Sequence, residues 1–562
     1  MDLQKARRYY SPGGRVKVAG LLRALALVLA ILILTGMPLA QPGSILRAQS
    51  NPIVAENQYL GSRAWRIDYN IGRIADDVEQ QIRGYASAVS VNHGETIHFH
   101  VTVNPAQSYR VDIFRMGWYA GAGGRLLQSS GELNGSPQPD CPVDGASGMV
   151  SCDWAVGYTL SVPATWTTGI YLAKLTNAAG FQSYIVFAVR DDERTATFLY
   201  QQPVTTYQAY NNYPDNGSTG KSLYDFNSYG AATAAGTQRA NQVSFDRPYG
   251  GGGGADGGGQ FADDQWWERY FISWAEQMGY DISYSTDIDT HANPARLLDF
   301  KGVLSVGHDE YWSKQMYDAF EKARDAGVNL AFLGANPNYW QVRFAPSNRG
   351  IANRVMISYK SATLDPITDP ALKTDQWRNI GRAEQQLVGV QYVANGDFLS
   401  TQPYAIANRS HWIWADSGFG NGSSVPGLLG YEVDRYFEEY SAPQFLSYTK
   451  LAESRYLATD GDSSVEEISQ SSIYQAPSGA WVFATGTMSW VWALDRPGYV
   501  NRGVRQAATN ILDRFGGIII TDTAAVATET PFTTPTAIAT FTPRATISAS
   551  ATPTATNTAT LK

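Results

Sequence analysis

The chain has 562 residues, 44% of them hydrophobic, and a formal net charge of −8. That length suggests more than one domain, with enough apolar content for a large core. The acidic balance, with no basic block after the amino terminus, excludes nucleic acid as an expected partner.

Residues 1–40 read as an export signal. Lys5, Arg7, Arg8, Arg15, Lys17 and Arg23 form a basic region, Ala24 to Leu34 is unbroken and apolar, and small residues follow at Gly36 and Ala40. The apolar run falls short of the ~20 residues a spanning helix needs, so a cleaved signal is expected, with a retained anchor as the alternative. This places the protein outside the cell or at its surface, touching membrane only through that segment. Residues 41–63 read as a flexible lead-in. Cys141 and Cys152 are the only cysteines, and an oxidising compartment favours a disulfide across their short loop. A cysteine nucleophile is thereby excluded from the rest of the chain.

Residues 64–192 alternate with period two at Glu95 to Val103, Ser108 to Phe114 and Gly169 to Leu175, with a further strand at Phe181 to Val189. Short strands between turn signals predict an all-β, immunoglobulin-like sandwich. His98 and His100 share one strand face. No acidic or cysteine neighbour completes a metal pair, so a solvated face is expected.

Residues 193–520 alternate strands with helices. Trp266 to Met278 looks helical, and Tyr280 to Tyr284 and Leu304 to Val306 look like strands. Ser313 suits an N-cap, and Met316, Phe320 and Ala323 share one face before Gly327 closes the helix. Trp481 to Thr485 is a late strand and Arg502 to Phe515 a terminal helix. The pattern predicts an α/β core built on a doubly wound sheet. Residues 521–562 are nearly all Thr, Ala, Pro and Ser and read as a disordered tail.

Several motifs fail on inspection. Gly217-Ser218-Thr219-Gly220-Lys221-Ser222 resembles the end of a phosphate-binding loop, but Asp215 stands where the first glycine belongs and no strand precedes it. No Gly-x-Ser-x-Gly elbow accompanies the histidines His291, His308 and His411. What remains is two strand ends. Val303 to Val306 runs into Gly307-His308-Asp309-Glu310-Tyr311-Trp312, and Val328 to Leu333 runs into Gly334-Ala335-Asn336-Pro337-Asn338-Tyr339-Trp340. In a parallel sheet both ends meet at the carboxyl edge, where open α/β folds place their sites. Asp309, Glu310, Tyr311, Tyr339 and the later Tyr431-Glu432-Val433-Asp434 could bring oxygen donors together there. Tyrosine ionises near pH 10 when free, so a phenolate ligand needs a strong Lewis acid, and ferric iron suits such hard donors better than zinc. The same tyrosines would also suit plain packing with Trp312 and Trp340.

The stretches GHDEYWS (307–313), NLAFLGANPNYWQVRF (329–344), VTTYQAYNNY (204–213), KSLYDFN (221–227), SFDRPY (244–249), GYEVDR (430–435) and ATGTMSWVWALD (484–495) together resemble the large (beta) subunit of N,N-dimethylformamidase and its relatives. The resemblance runs from about Ala64 to Phe515. It implies a β-sandwich joined to a core like that of class I glutamine amidotransferases, without their thiol. It also implies one ferric iron held by two tyrosines and one glutamate, which by motif are Tyr311, Tyr339 and Glu432, with Glu310 the rival carboxylate. His308, Asp309 or Glu310 would position water or move protons, and Asn336 would hydrogen-bond the oxyanion. The expected activity is secreted hydrolysis of the carbon–nitrogen bond of small amides, and an oligomer is compatible with it. The alternative is a non-catalytic surface protein that binds carbohydrate or another ligand and is displayed on the Thr/Pro stalk. The export signal, the shorter length and the tail depart from the known enzyme and leave substrate and assembly open.

Overall fold

Period-two patterning between Arg83 and Arg190 builds two β-sheets. The computed structural model describes residues 51–518 apart from 68–71, 397–401, 421 and 461–462. The expected export signal (1–40) and Thr/Pro tail (521–562) lie outside the described residues. One sheet pairs Arg83–Ala86, Thr96–Thr102 and Val156–Ser161. The other has Ser108–Met116, Gly169–Asn177 and Gln182–Arg190 at its centre. Ile97, Phe99, Val111, Ile113, Leu175 and Phe187 share one buried cluster within this region, each worth roughly 1.5–3 kcal/mol relative to an exposed side chain. Cys141 and Cys152 are disulfide-bonded. His98 and His100 do not form a solvated pair: His100 is buried, stacks on Tyr85 and hydrogen-bonds the Trp154 carbonyl through Nδ1 at 2.7 Å. Part of the expected flexible lead-in is held in place. Asn51 caps the single turn Pro52–Glu56, whose Ile53 is fully buried.

The largest sheet draws on β1 (Phe198–Gln202), β2 (Ile282–Thr286), β3 (Gly302–Val306), β4 (Asn329–Leu333), β5 (Ser447–Asp460), β6 (Ser463–Gln475) and β7 (Trp481–Ala484). Their spatial order is β2-β1-β3-β4-β7-β6-β5. The first four pairings are parallel and the last two antiparallel. Helices α1 (Val204–Tyr210), α2 (Glu268–Gln277), α3 (Lys314–Asp325) and α4 (Arg502–Gly516) accompany it. Helix α3 forms as its sequence demands. The Ser313 hydroxyl accepts from the Met316 amide, and Met316, Tyr317, Phe320 and Ala323 face inward.

The expected doubly wound α/β core is not what the chain forms. Strand outweighs helix, 32% to 21%, and the strands of the described residues fall into six sheets, the largest of them mixed. Strand–helix alternation governs only the stretch from β1 to β4. Beyond it, residues 340–445 fold into short ladders, and β5 and β6 make a long hairpin where crossover helices were expected. One short ladder bears on the site: Tyr311–Ser313 runs parallel to Trp340–Ala345, with Tyr311 opposite Trp340.

Candidate active site

Four parallel strands, β1, β3, β4 and β7, end at one edge of the sheet, and the loops leaving them build the site. Gly307 turns the chain out of β3 at φ 79°, and a side chain there would strike the carboxylate of Glu268. The loop 308–311 is clamped from two sides. On one, the Glu310 amide donates to Thr206 Oγ1 at 3.0 Å, and Thr205 Oγ1 donates to the Tyr311 carbonyl at 2.9 Å, both from α1. On the other, the Asn338 and Trp340 amides donate to the carbonyls of Asp309 and Glu310.

A cavity of about 590 Å³ opens at this edge. Glu310, Asn336, Tyr339 and Glu432 line it, together with Tyr210, Tyr224 and Tyr431. Asp309 does not reach it. Its carboxylate accepts from Gln201 Nε2 at 2.7 Å, Ser305 Oγ at 2.8 Å and Trp312 Nε1 at 2.7 Å, which fastens the loop to β1 and β3. Tyr311 also stands back. It is fully buried, and its hydroxyl donates to Tyr224 Oη at 2.5 Å. Tyr339 falls one residue out of register with it, because Tyr311 pairs with Trp340.

The pair that does converge is Tyr210, the last residue of α1, and Tyr224. Their hydroxyls lie 2.9 Å apart, and each reaches Glu310 at 3.3 Å. The hydroxyl chain thus runs from Tyr311 through Tyr224 and Tyr210 to Glu310. Burial, joined by the charge of Glu310, pushes all three phenols well above the usual tyrosine range. They would ionise only beside a strong cation. Sequence reading passed over Tyr210 and Tyr224, although both stand in motifs that carry the resemblance.

His308 is fully buried, with Nε2 at 3.0 Å from Glu432 Oε2 and 3.3 Å from Glu310 Oε2. Burial opposes its charge, but Glu432 and then Glu310 and Glu268 outweigh that and hold it protonated, at about 9. Burial raises Glu310, and the nearby Glu432 adds to the rise against the pull of His308. Behind the imidazole, Glu268 accepts from Tyr207 Oη at 2.8 Å, and burial lifts it to about 7. Asn336 has φ 53°, donates its backbone N–H to Asp434 Oδ1 at 2.8 Å, and keeps its side-chain Oδ1 buried without a hydrogen-bond partner. Lys360 Nζ stands 3.3 Å from the ring centre of Tyr224 and 4.8 Å from that of Trp340. Burial lowers it to about 7 despite the pull of Glu310.

The donor set suits a hard cation. Two phenol oxygens and a carboxylate converge within 3.3 Å, and among the described residues no group of three or more His, Cys, Asp or Glu is arranged to hold a metal. A metal at this edge would therefore need the phenols; Tyr210, Tyr224 and Glu310 lie within hydrogen-bond distance of one another, and Tyr339 and Glu432 line the same cavity.

Residues 110–504 match the family described as N,N-dimethylformamidase beta subunit-like, C-terminal. Two curated relatives, each an N,N-dimethylformamidase beta subunit, come from Alcaligenes sp. and Paracoccus aminophilus. They are 24% and 23% identical over 275 residues, which is 44% of this chain and 36% of each relative. The match thus spans little more than a third of those relatives' length. A solved structure described as "mmIFT52 N-terminal domain" aligns over 44% of this chain and 89% of its own, at 10% identity and a TM-score of 0.24, too low to define a shared fold.

Proposed function

The chain belongs to the N,N-dimethylformamidase beta subunit-like family, and from that premise we propose that it hydrolyses the carbon–nitrogen bond of linear amides in the cavity at the carboxyl edge of the sheet. One observation carries the reading. Tyr210, Tyr224 and Glu310 converge there beside a charged His308 and a second carboxylate, Glu432. Tyr210, Tyr224 and Glu310 would hold a single ferric iron, which when bound would polarise the amide carbonyl and acidify water as a Lewis acid.

The remaining steps fall to the chain's own groups. The Asn336 side-chain amide hydrogen-bonds the carbonyl oxygen and strengthens that bond as negative charge develops. Glu432 accepts the proton of the attacking water. His308, 3.0 Å away, gives its proton to the departing amine nitrogen and is recharged from Glu432. Asp309 and Tyr311 are positioning residues that keep the loop and Tyr224 in place. Export is part of the proposal, supported by the amino-terminal pattern and the Cys141–Cys152 bond. Assembly with a further subunit is also proposed, supported by the relatives' description as beta subunits.

The test is metal content and visible spectrum of the full chain. Stoichiometric iron with a tyrosinate-to-iron charge-transfer band is expected, with amide hydrolysis that tracks iron occupancy. Tyr210→Phe and Tyr224→Phe should each lose the band and most of the iron, whereas Tyr339→Phe should keep both. Full iron in the first two variants would overturn the ligand assignment. Iron-free protein that hydrolyses no amide after reconstitution would overturn the function.

A further inference from the structure

The cavity is lined by rings as well as by acidic and hydroxyl groups: Phe226, Tyr339, Trp340 and Tyr392 share it with Glu310, Asn336 and Glu432. These rings are only partly buried. Phe226 is 75% exposed, with its ring 5.6 Å from that of Tyr224. Tyr339, Trp340 and Tyr392 are half-buried, and the Tyr339 ring lies 5.1 Å from Trp340 and 5.3 Å from Tyr392. Leaving so much aromatic surface open to water is unfavourable unless something covers it, and contiguous exposed apolar surface marks a binding site. The size agrees. About 590 Å³ falls within the range of pockets that enclose drug-sized ligands, and the smallest tertiary amides would leave most of it filled with water.

We propose that the preferred substrates are amides whose non-reacting half carries an apolar ring, which lies against the Phe226–Trp340 wall while the carbonyl reaches Asn336 and Glu432. The proposal rests on the amidase reading of this cavity. It assigns specificity to these rings, whose faces are suited to stacking.

The full-length enzyme is assayed with N,N-dimethylformamide, N-butylacetamide, N-benzylacetamide and N-acetylglucosamine. In parallel, binding of the unreactive ketones acetone and benzylacetone is followed by tryptophan fluorescence. Burying one phenyl ring predicts a kcat/KM for the benzyl amide about tenfold or more above that for dimethylformamide. Benzylacetone should bind more tightly than acetone by a similar factor. Phe226→Ala and Trp340→Ala should each shrink both ratios, carried mainly by KM. Equal kcat/KM across the amides, or preference for the acetylated sugar, would overturn the proposal. If no amide is cleaved yet benzylacetone still binds selectively, the amidase reading fails while the ring-binding wall stands. If neither ketone binds, the wall itself is refuted.

Discussion

Glu276→Gln is the most demanding test of how the sandwich is joined to the core. Arg115 lies on the sandwich strand Ser108–Met116 and Glu276 on α2, and both side chains are fully buried. Arg115 Nη2 meets Glu276 Oε1 at 2.7 Å and Nη1 meets Oε2 at 3.1 Å. Glu276 also accepts from Tyr284 Oη and from Asn57 Nδ2 on the amino-terminal segment, at 2.8 Å each. The amide keeps the shape and removes the charge, so Arg115 stays behind as an uncompensated buried cation. Two unit charges about 4 Å apart at an effective dielectric of 20 attract by about 4 kcal/mol. Breaking one side of a buried pair costs about 3–5 kcal/mol. Urea unfolding followed by tryptophan fluorescence should show a loss in that range. The double variant Arg115→Met/Glu276→Leu should recover much of it, since a matched apolar pair avoids desolvating two charges. A Glu276→Gln protein within about 1 kcal/mol of wild type would refute the claim that the pair is closed to water and couples the two layers.

Acid sensitivity should trace in part to Asp365. Burial alone would raise it, but hydrogen bonds from Arg343 and Thr374 outweigh that and hold it at about 2, below its ordinary 3.8. A depressed folded-state value contributes stability above the unfolded value and loses it as pH falls toward 2. Asp365→Asn should therefore be less stable than wild type at neutral pH and converge with it under acid, followed by circular dichroism. An unchanged gap between the two down to the lowest pH would refute this. Gly307→Ala should destabilise the protein by about 1–3 kcal/mol and lower activity more than stability. The reason is that the new Cβ meets Glu268 behind His308 at a left-handed φ. Wild-type turnover in that variant would show that the Glu268 wall does not set the His308 loop.

Local signals were strong wherever neighbours in sequence decide the outcome. Ser313, Met316 and Phe320 announce α3 because cap and stripe lie within one helix, and Gly307 and Gly334 mark the two strand ends that reach the site. The convergence of hydroxyls and carboxylate at the cavity was not local. Tyr210 and Tyr224 converge with Glu310 only after chain segments about a hundred residues apart come together, and both tyrosines look like ordinary packing residues in a chain with 33 of them. Asp309 misled for the opposite reason. A carboxylate between His308 and Glu310 reads as catalytic, but Trp312, three residues on, turns its indole N–H back to hold it. The expectation of a doubly wound sheet erred by extending the rhythm of residues 198–333 past 340, where ladder-forming segments replace helices.

The placement of β7 has a consequence for biogenesis. This strand, at residues 481–484, slots between β4 and β6, so the sheet is incomplete until nearly the whole chain is available. Thr485, just beyond β7, hydrogen-bonds the Gly334 carbonyl at 2.7 Å, and Thr487 receives the Gly430 amide beside Glu432. A growing chain therefore cannot assemble this edge early. Such long-range closure makes folding slow and late. A polypeptide threaded unfolded across a membrane would reach the far side without a finished pocket, and any metal would be acquired where folding ends.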